Sequence, residues 1–177
     1  MPLAIGGLGN PGSEYADTRH NLGFMVIEEL LGRFKLKLKK KGRAGLARAK
    51  IGDEIFFFIP LTFMNLSGQA VKQILRENNL SPRDLLIICD DYNLPFGKLR
   101  FRPGGSSGGH NGLLSIVEQL GTQEFARLRI GLGEPPSGEA VDYVLGEFSP
   151  AEKKELPQII SRAADQVLEF IKSRQEE

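Results

Sequence analysis

A chain of 177 residues, 41% of them hydrophobic, with no tryptophan and one cysteine, suits one domain around a sizeable core and excludes an internal disulfide or a cysteine-based metal cluster. No apolar run approaches the ~20 residues of a membrane-spanning helix, and the opening MPLAIGGLGNPG lacks the basic and separate apolar segments of a targeting peptide, so a cytoplasmic protein is expected. Net charge is +1, yet residues 1–133 carry 18 Lys/Arg against 12 Asp/Glu while residues 134–177 carry 5 against 10.

Residues 3–8 are apolar and bounded by glycine, which predicts a buried strand. Phe24, Ile27, Leu30, Leu31 and Phe34 recur at helical spacing and predict a helix over about 21–34. Residues 45–51 and 54–60 flank Gly52-Asp53, a hairpin signal. Asn65 can cap a helix carrying Val71, Ile74 and Leu75. Leu85–Cys89 reads as a central strand ending in Asp90-Asp91, with Cys89 as a buried small side chain. A strand over 97–102 leads into PGGSSGGHNG, residues 103–112, too glycine-rich for regular structure. A helix over 112–120 and a strand over 126–132 follow. Ser149-Pro150-Ala151-Glu152 is a capping box with proline at the first helical position. It opens a C-terminal helix towards residue 173, with a kink or interruption expected near Pro157. Strands alternate with helices and a hairpin sits among them. This predicts an α/β fold in which residues 1–177 form a single domain with a mixed sheet.

Residues 7–12, GLGNPG, fit the G-x-G-x-x-G of a dinucleotide-binding loop, but the context fails three tests. Pro11 offers no N–H to a pyrophosphate, and the helical period starts only near Asn21. The next strands form a hairpin where a crossover is needed, and no acid ends a second parallel strand to hold a ribose. The glycines more simply allow a tight turn that carries Asn10 forward.

The two histidines, His20 and His110, each precede an asparagine in a polar or glycine-rich loop. Asn10, Asn65 and Asn111 sit where strands hand over to loops or helices; each alone is explained by turn or cap duty. Asp90 ends an apolar strand, where ligands of open α/β sheets gather. A carboxylate there needs a partner, and a histidine is the natural one. Such a pair fixes the tautomer and frees the other ring nitrogen to take a proton from water. A zinc site is disfavoured because no H-x-H or H-x-x-x-H pair presents both rings, and a serine triad lacks G-x-S-x-G. No metal and no cofactor are expected.

Nine basic residues and no acid lie between Leu30 and Gly52, and a second group comprises Lys98, Arg100, Arg102, Arg127 and Arg129. This favours a polyanionic partner over a membrane, although residues 35–43 read equally as a solvated connector. Residues 103–109 and 134–141 are the loops expected to move.

GLGNPGSEYADTRHNLG (7–23), PLTFMNLSG (60–68), CDDYNLPFGKLRFRPGGSSGGHNGL (89–113) and RLRIGLG (127–133), in this order, resemble the bacterial peptidyl-tRNA hydrolase family over nearly the whole chain. The resemblance implies a mostly monomeric, metal-free α/β domain with a twisted mixed β-sheet surrounded by helices. It implies hydrolysis of the ester between a peptide and the 3′-terminal ribose of tRNA. It makes His20 the base that activates water and Asp90 its support, and it sets Asn10 beside the scissile ester, where it tells blocked from free aminoacyl-tRNA. It makes Tyr15, Phe63, Asn65 and Asn111 contacts to the peptidyl-adenosine end, with Met64 lining the peptide groove and His110 shaping the site. Arg102 and Arg129 fall where the family places cations for tRNA phosphate. Three positions depart from the pattern. Gly6 replaces a branched strand residue and is expected to soften the first strand. Asn93 replaces a common Asp, which removes an ion pair. Glu134 replaces a frequent cation near the expected tRNA surface. The resemblance also implies an alternative, a non-catalytic RNA-binding relative like the plastid members that act as splicing partners without known need for hydrolysis; the presence of His20 with Asp90 and the lack of a transit peptide favour the enzyme.

Overall fold

The computed structural model describes residues 1–136 and 138–177. Ser137, within the expected mobile segment 134–141, lies outside them. Seven strands form one mixed sheet: β1 (Leu3–Gly7), β2 (Lys39–Lys41), β3 (Ala44–Ile51), β4 (Asp53–Pro60), β5 (Leu85–Asp91), β6 (Leu99–Arg102) and β7 (Ala126–Gly131). Their spatial order is β2-β3-β4-β1-β5-β7-β6. The four inner strands run parallel, and the outer pairings β2–β3, β3–β4 and β6–β7 are antiparallel.

Helices cover both faces, which explains why β1 and β5 read as unbroken apolar runs. Alternation sorts their side chains. Leu3, Ile5, Leu86 and Ile88 face one layer, made by α1 (Leu22–Arg33) and α5 (Pro150–Gln175). Ala4, Leu85, Ile87 and Cys89 face the other, made by α2 (Ser67–Glu77) and α3 (Asn111–Leu120). A short α4 (Ala140–Val144) precedes α5. None of the described helices is long and apolar enough to cross a membrane.

Most expected elements appear within a few residues of their bounds. The exceptions have physical causes. Asn65 does not cap α2; it sits exposed inside a 3-10 turn, Met64–Leu66, whose last residue precedes the helix. Helix α5 is not interrupted at Pro157. Proline removes one N–H bond, but Pro157 is exposed, and the stripe Ile159, Ala163, Ala164, Val167 and Ile171 holds the helix to the sheet. The capping box is present as read: Glu152 N–H donates to Ser149 Oγ and Ser149 N–H to Glu152 Oε1. At Gly6, a Cβ would lie 2.3 Å from Cζ of Phe58. The aromatic ring thus fills the volume that a branched residue would otherwise occupy.

Helix α1 docks onto the sheet at unusually short range. A Cβ on Gly7 would lie 2.2 Å from the Gly23 carbonyl oxygen, and one on Gly23 would lie 2.4 Å from both Leu8 N and the Ile88 oxygen. Backbone therefore meets backbone where α1 crosses the ends of β1 and β5, and Phe24 N–H donates to Leu8 O at 3.2 Å. A methyl group at Gly23 would press on the backbone of both Leu8 and Ile88. Gly23→Ala is expected to destabilise the fold by about 1–3 kcal/mol through overpacking, read as a fall of roughly 3–10 °C in Tm in a thermal melt.

Candidate active site

The C-terminal ends of β1, β4 and β5 open into one crevice. Strands β4 and β5 leave their shared neighbour β1 on opposite sides, which makes this a topological switch point. Three loops and one strand supply it. The β1–α1 loop brings Asn10, Tyr15 and His20; the β4–α2 loop brings Phe63, Met64 and Asn65; β5 brings Asp90, its penultimate residue; the glycine-rich loop, running into the first residue of α3, brings His110 and Asn111.

Asp90 is 2% exposed and shares a strand face with Leu86 and Ile88, towards the start of α1. His20 lies there, in a 3-10 turn of residues Arg19–Asn21. Its Nδ1 is 2.8 Å from Asp90 Oδ2. The other carboxylate oxygen, Oδ1, is 3.0 Å from His110 Nε2. His110 is the N-cap of α3: its Nδ1 accepts the N–H groups of Gly112 at 3.1 Å and Leu113 at 3.3 Å. That nitrogen carries no proton, so Nε2 does and donates to Asp90. His20 in turn donates from Nδ1, and its Nε2 has no partner among the described residues.

One donor atom from each of His20, Asp90 and His110 lies within 4.8 Å of the others, a spacing also found in metal sites. Here the pairing accounts for the cluster: both Asp90 oxygens face ring nitrogens and the remaining His110 nitrogen caps a helix. What is left is one basic nitrogen, His20 Nε2. Burial by itself lowers the His20 pKa, but the charge of Asp90 and its hydrogen bond outweigh it, and the value is raised above 6.5. Burial would raise the Asp90 carboxyl; the facing imidazoles hold it well below the usual carboxylate range instead. The fully buried Cys89 thiol next door is pushed up and takes no part.

A cavity of about 200 Å³ lies against this group, lined by His20, Asp90, Tyr92, His110, Asn111 and the inner side of α4 at Val144. The His20 turn is fastened from behind. Arg19 donates to the Tyr143 carbonyl at 3.1 Å and pairs with Glu152 at 3.0 Å, so the capping acid of α5 also anchors the turn. On the other side Asn21 grips Asn10 by its backbone: Asn10 N–H donates to Asn21 Oδ1 at 2.8 Å, and Asn21 Nδ2 donates to Asn10 O at 2.9 Å. Asn10 Oδ1 accepts Met64 N–H at 2.7 Å, which joins the β1 and β4 loops. The Asn10 amide nitrogen has no partner among the described residues.

The structure thus gathers Asn10, His20, Asp90, His110 and Asn111 in one place. Tyr15 and Phe63 meet edge to face with ring centroids 6.2 Å apart, and Phe63 is 55% exposed beside the crevice. Asn65 is exposed on the same loop, whereas Met64 is buried against α2 and Gly112. The cations differ from one another. Arg102 is exposed on β6. Arg129 is largely covered, donating to Ser106 O at 2.8 Å and lying 3.7 Å from Asp91. Arg127 is not part of a basic surface: it is fully buried over the Phe125 ring and donates to the carbonyls of Ser106 and Gln123. It holds the glycine-rich loop from below. Asn21, Arg19 and Arg127 were not expected as site-building residues; the H-N pair at 20–21 was the one visible signal.

The family model for peptidyl-tRNA hydrolase matches residues 4–177. The chain belongs to the peptidyl-tRNA hydrolase family. A peptidyl-tRNA hydrolase from Methylacidiphilum infernorum is 50% identical over 160 residues, covering 89% of this chain and 84% of the relative. One from Geobacillus kaustophilus is 46% identical over 177 residues, covering 98% and 94%. The crystal structure of a variant of the peptidyl-tRNA hydrolase of Acinetobacter baumannii superposes with a TM-score of 0.91 at 37% identity, covering 98% of this chain and 90% of that one. The mixed sheet and its helical layers are therefore those of peptidyl-tRNA hydrolases.

The pairing can be tested without any substrate. In an NMR titration the His20 ring is expected to change protonation with a midpoint above 6.5, since Asp90 outweighs burial. In Asp90→Asn the supporting charge is gone and burial remains, so the midpoint should fall below 6.5. A midpoint unmoved by the substitution would show that the pair does not set the basicity of His20.

Proposed function

We propose that this protein hydrolyses the ester joining a peptide, or an N-blocked amino acid, to the 3′-terminal ribose of tRNA. The observation that carries the reading is the unpartnered Nε2 of His20, facing the crevice while Nδ1 is tied to Asp90, in a member of the peptidyl-tRNA hydrolase family. His20 Nε2 takes a proton from water as the oxygen attacks the ester carbonyl. Asp90 supports the imidazolium that forms. The tetrahedral intermediate collapses, the C–O bond to the ribose breaks, and the imidazolium returns its proton to the ribose oxygen. No cofactor enters these steps, and the enzyme acts as a monomer without an obligate protein partner.

The free amide nitrogen of Asn10 is a donor beside the reacting ester, and the bond that Asn10 Oδ1 accepts from Met64 N–H keeps the amide in place. Tyr15 and Phe63 offer ring faces to the unstacked terminal base or ribose. Asn65 and Asn111 can bond to peptide backbone and so accept any side chain. His110 holds Asp90 and the start of α3 together. Arg102 meets tRNA phosphate without reading sequence, and Arg129 joins it from beneath the glycine-rich loop.

The direct test is release of N-acetylated amino acid from N-blocked aminoacyl-tRNA, with the unblocked form cleaved far more slowly. His20→Ala is expected to abolish release while tRNA affinity changes little; a variant that still binds and cleaves would remove His20 as base. Asp90→Asn should lower the rate about 10²–10⁴-fold, the range by which a positioned base accelerates such reactions. Arg102→Ala should raise KM and reduce the slope of its dependence on log salt by about 1, measured in a KM series across ionic strengths.

A further inference from the structure

We infer that the peptide part of the substrate, beyond the residues held next to the ester, passes over the cationic turn Lys41-Gly42-Arg43, so that acidic peptides are hydrolysed more readily than basic ones. This rests on the proposed hydrolase reading and names a substrate class within it.

The direction follows from the order of the sheet. Arg102 and Arg129 lie on β6 and β7, to one side of Asp90. With the tRNA phosphates on that side, the peptide leaves past Asn10 and Phe63, over the loop that follows β4. The β2–β3 turn is attached to this loop. Leu61 N–H donates to the carbonyl of Arg43 at 2.7 Å. Met64, bonded to Asn10, is three residues further along. An extended chain advances at most about 3.3–3.6 Å per residue, so the three steps from Leu61 to Met64 put the turn no more than about 10 Å from Met64. The third or fourth peptide residue counted from the ester reaches it.

The turn is built to stay there. Gln73, buried on α2, bonds both of its sides: Oε1 accepts Arg43 N–H at 2.9 Å, and Nε2 donates to Lys41 O at 2.8 Å. Gly42, at φ 57°, lies against the same amide. The charges on this turn are available. Lys41 and Arg43 are exposed, and neither pairs with a carboxylate among the described residues. Lys37, Lys39 and Lys40 add to the same positive field, and no acid occurs from Leu30 to Gly52. Among the described residues the carboxylate at the clamp is Glu77, 3.5 Å from Gln73 Nε2.

The experiment compares three substrates: a single N-acetylated glycine on tRNA, and two N-acetylated pentapeptides on the same tRNA with Glu or Lys at the fourth and fifth residues from the ester. At low salt, kcat/KM is expected to be several-fold higher for the Glu peptide than for the Lys peptide, and the gap should shrink at high salt. In Lys41→Gln/Arg43→Gln the gap should close, and in Lys41→Glu/Arg43→Glu it should invert, with the single-residue substrate unchanged. A gap that survives both variants overturns the inference. So does an equal rise in KM for all three substrates, which would place tRNA phosphate on the turn. Failure of the unaltered protein to cleave even the single-residue substrate would defeat the hydrolase reading instead.

Discussion

A carboxylate with almost no exposure to water has to be compensated where it stands, and Asp90 meets that demand from both sides of the sheet at once. One oxygen faces His20, in the turn ahead of α1; the other faces His110, at the head of α3. These helices lie in different layers. The end of β5 is therefore a tie between the two halves of the molecule, and the crevice exists because the tie is made there. It also sorts the rings. His110 spends both nitrogens on structure, whereas His20 spends one and keeps one. Two residues of the same type thus take different duties from their surroundings alone.

That tie needs α1 close to the sheet, and the closeness comes from residues without side chains. Gly7 opens the motif that imitates a dinucleotide loop, yet its lack of a side chain is used by the carbonyl of Gly23. The same spacing that serves a pyrophosphate elsewhere serves helix docking here. Asn21 then fixes the loop over which Asn10 is carried, by replacing two backbone bonds that no strand supplies.

Much of this was legible in the residues. Apolar runs gave the inner strands, helical spacing gave α1 and α2, and the placement of Asp90 at a strand end called for a histidine. The order of four motifs pointed to the family. What was not legible depends on distance between remote parts of the chain. Nothing in the arginines at 127 and 129 tells that one is fully interior and the other only largely covered, since both lie on the same face of one strand beneath a loop whose path is set elsewhere. Strand β2 reads as a charged connector because its pairing comes from β3 and not from its own composition. Proline at 157 signals a break, but burial of the stripe that follows it overrides the loss of one bond. The cap expected at Asn65 was displaced by a tighter turn ahead of the helix.

The two margins of the sheet have a consequence for how copies of the molecule meet. One margin is Lys39–Lys41, all exposed; the other is Leu99–Arg102, with Arg102 exposed and Arg100 partly so. Open margins invite strand-to-strand polymerisation, because their unpaired amides and carbonyls can template a neighbour. Any such joining here, whether like margin to like or one to the other, sets cation against cation. Fibrillar growth through the sheet is thereby opposed by electrostatic repulsion, which should weaken as ionic strength rises.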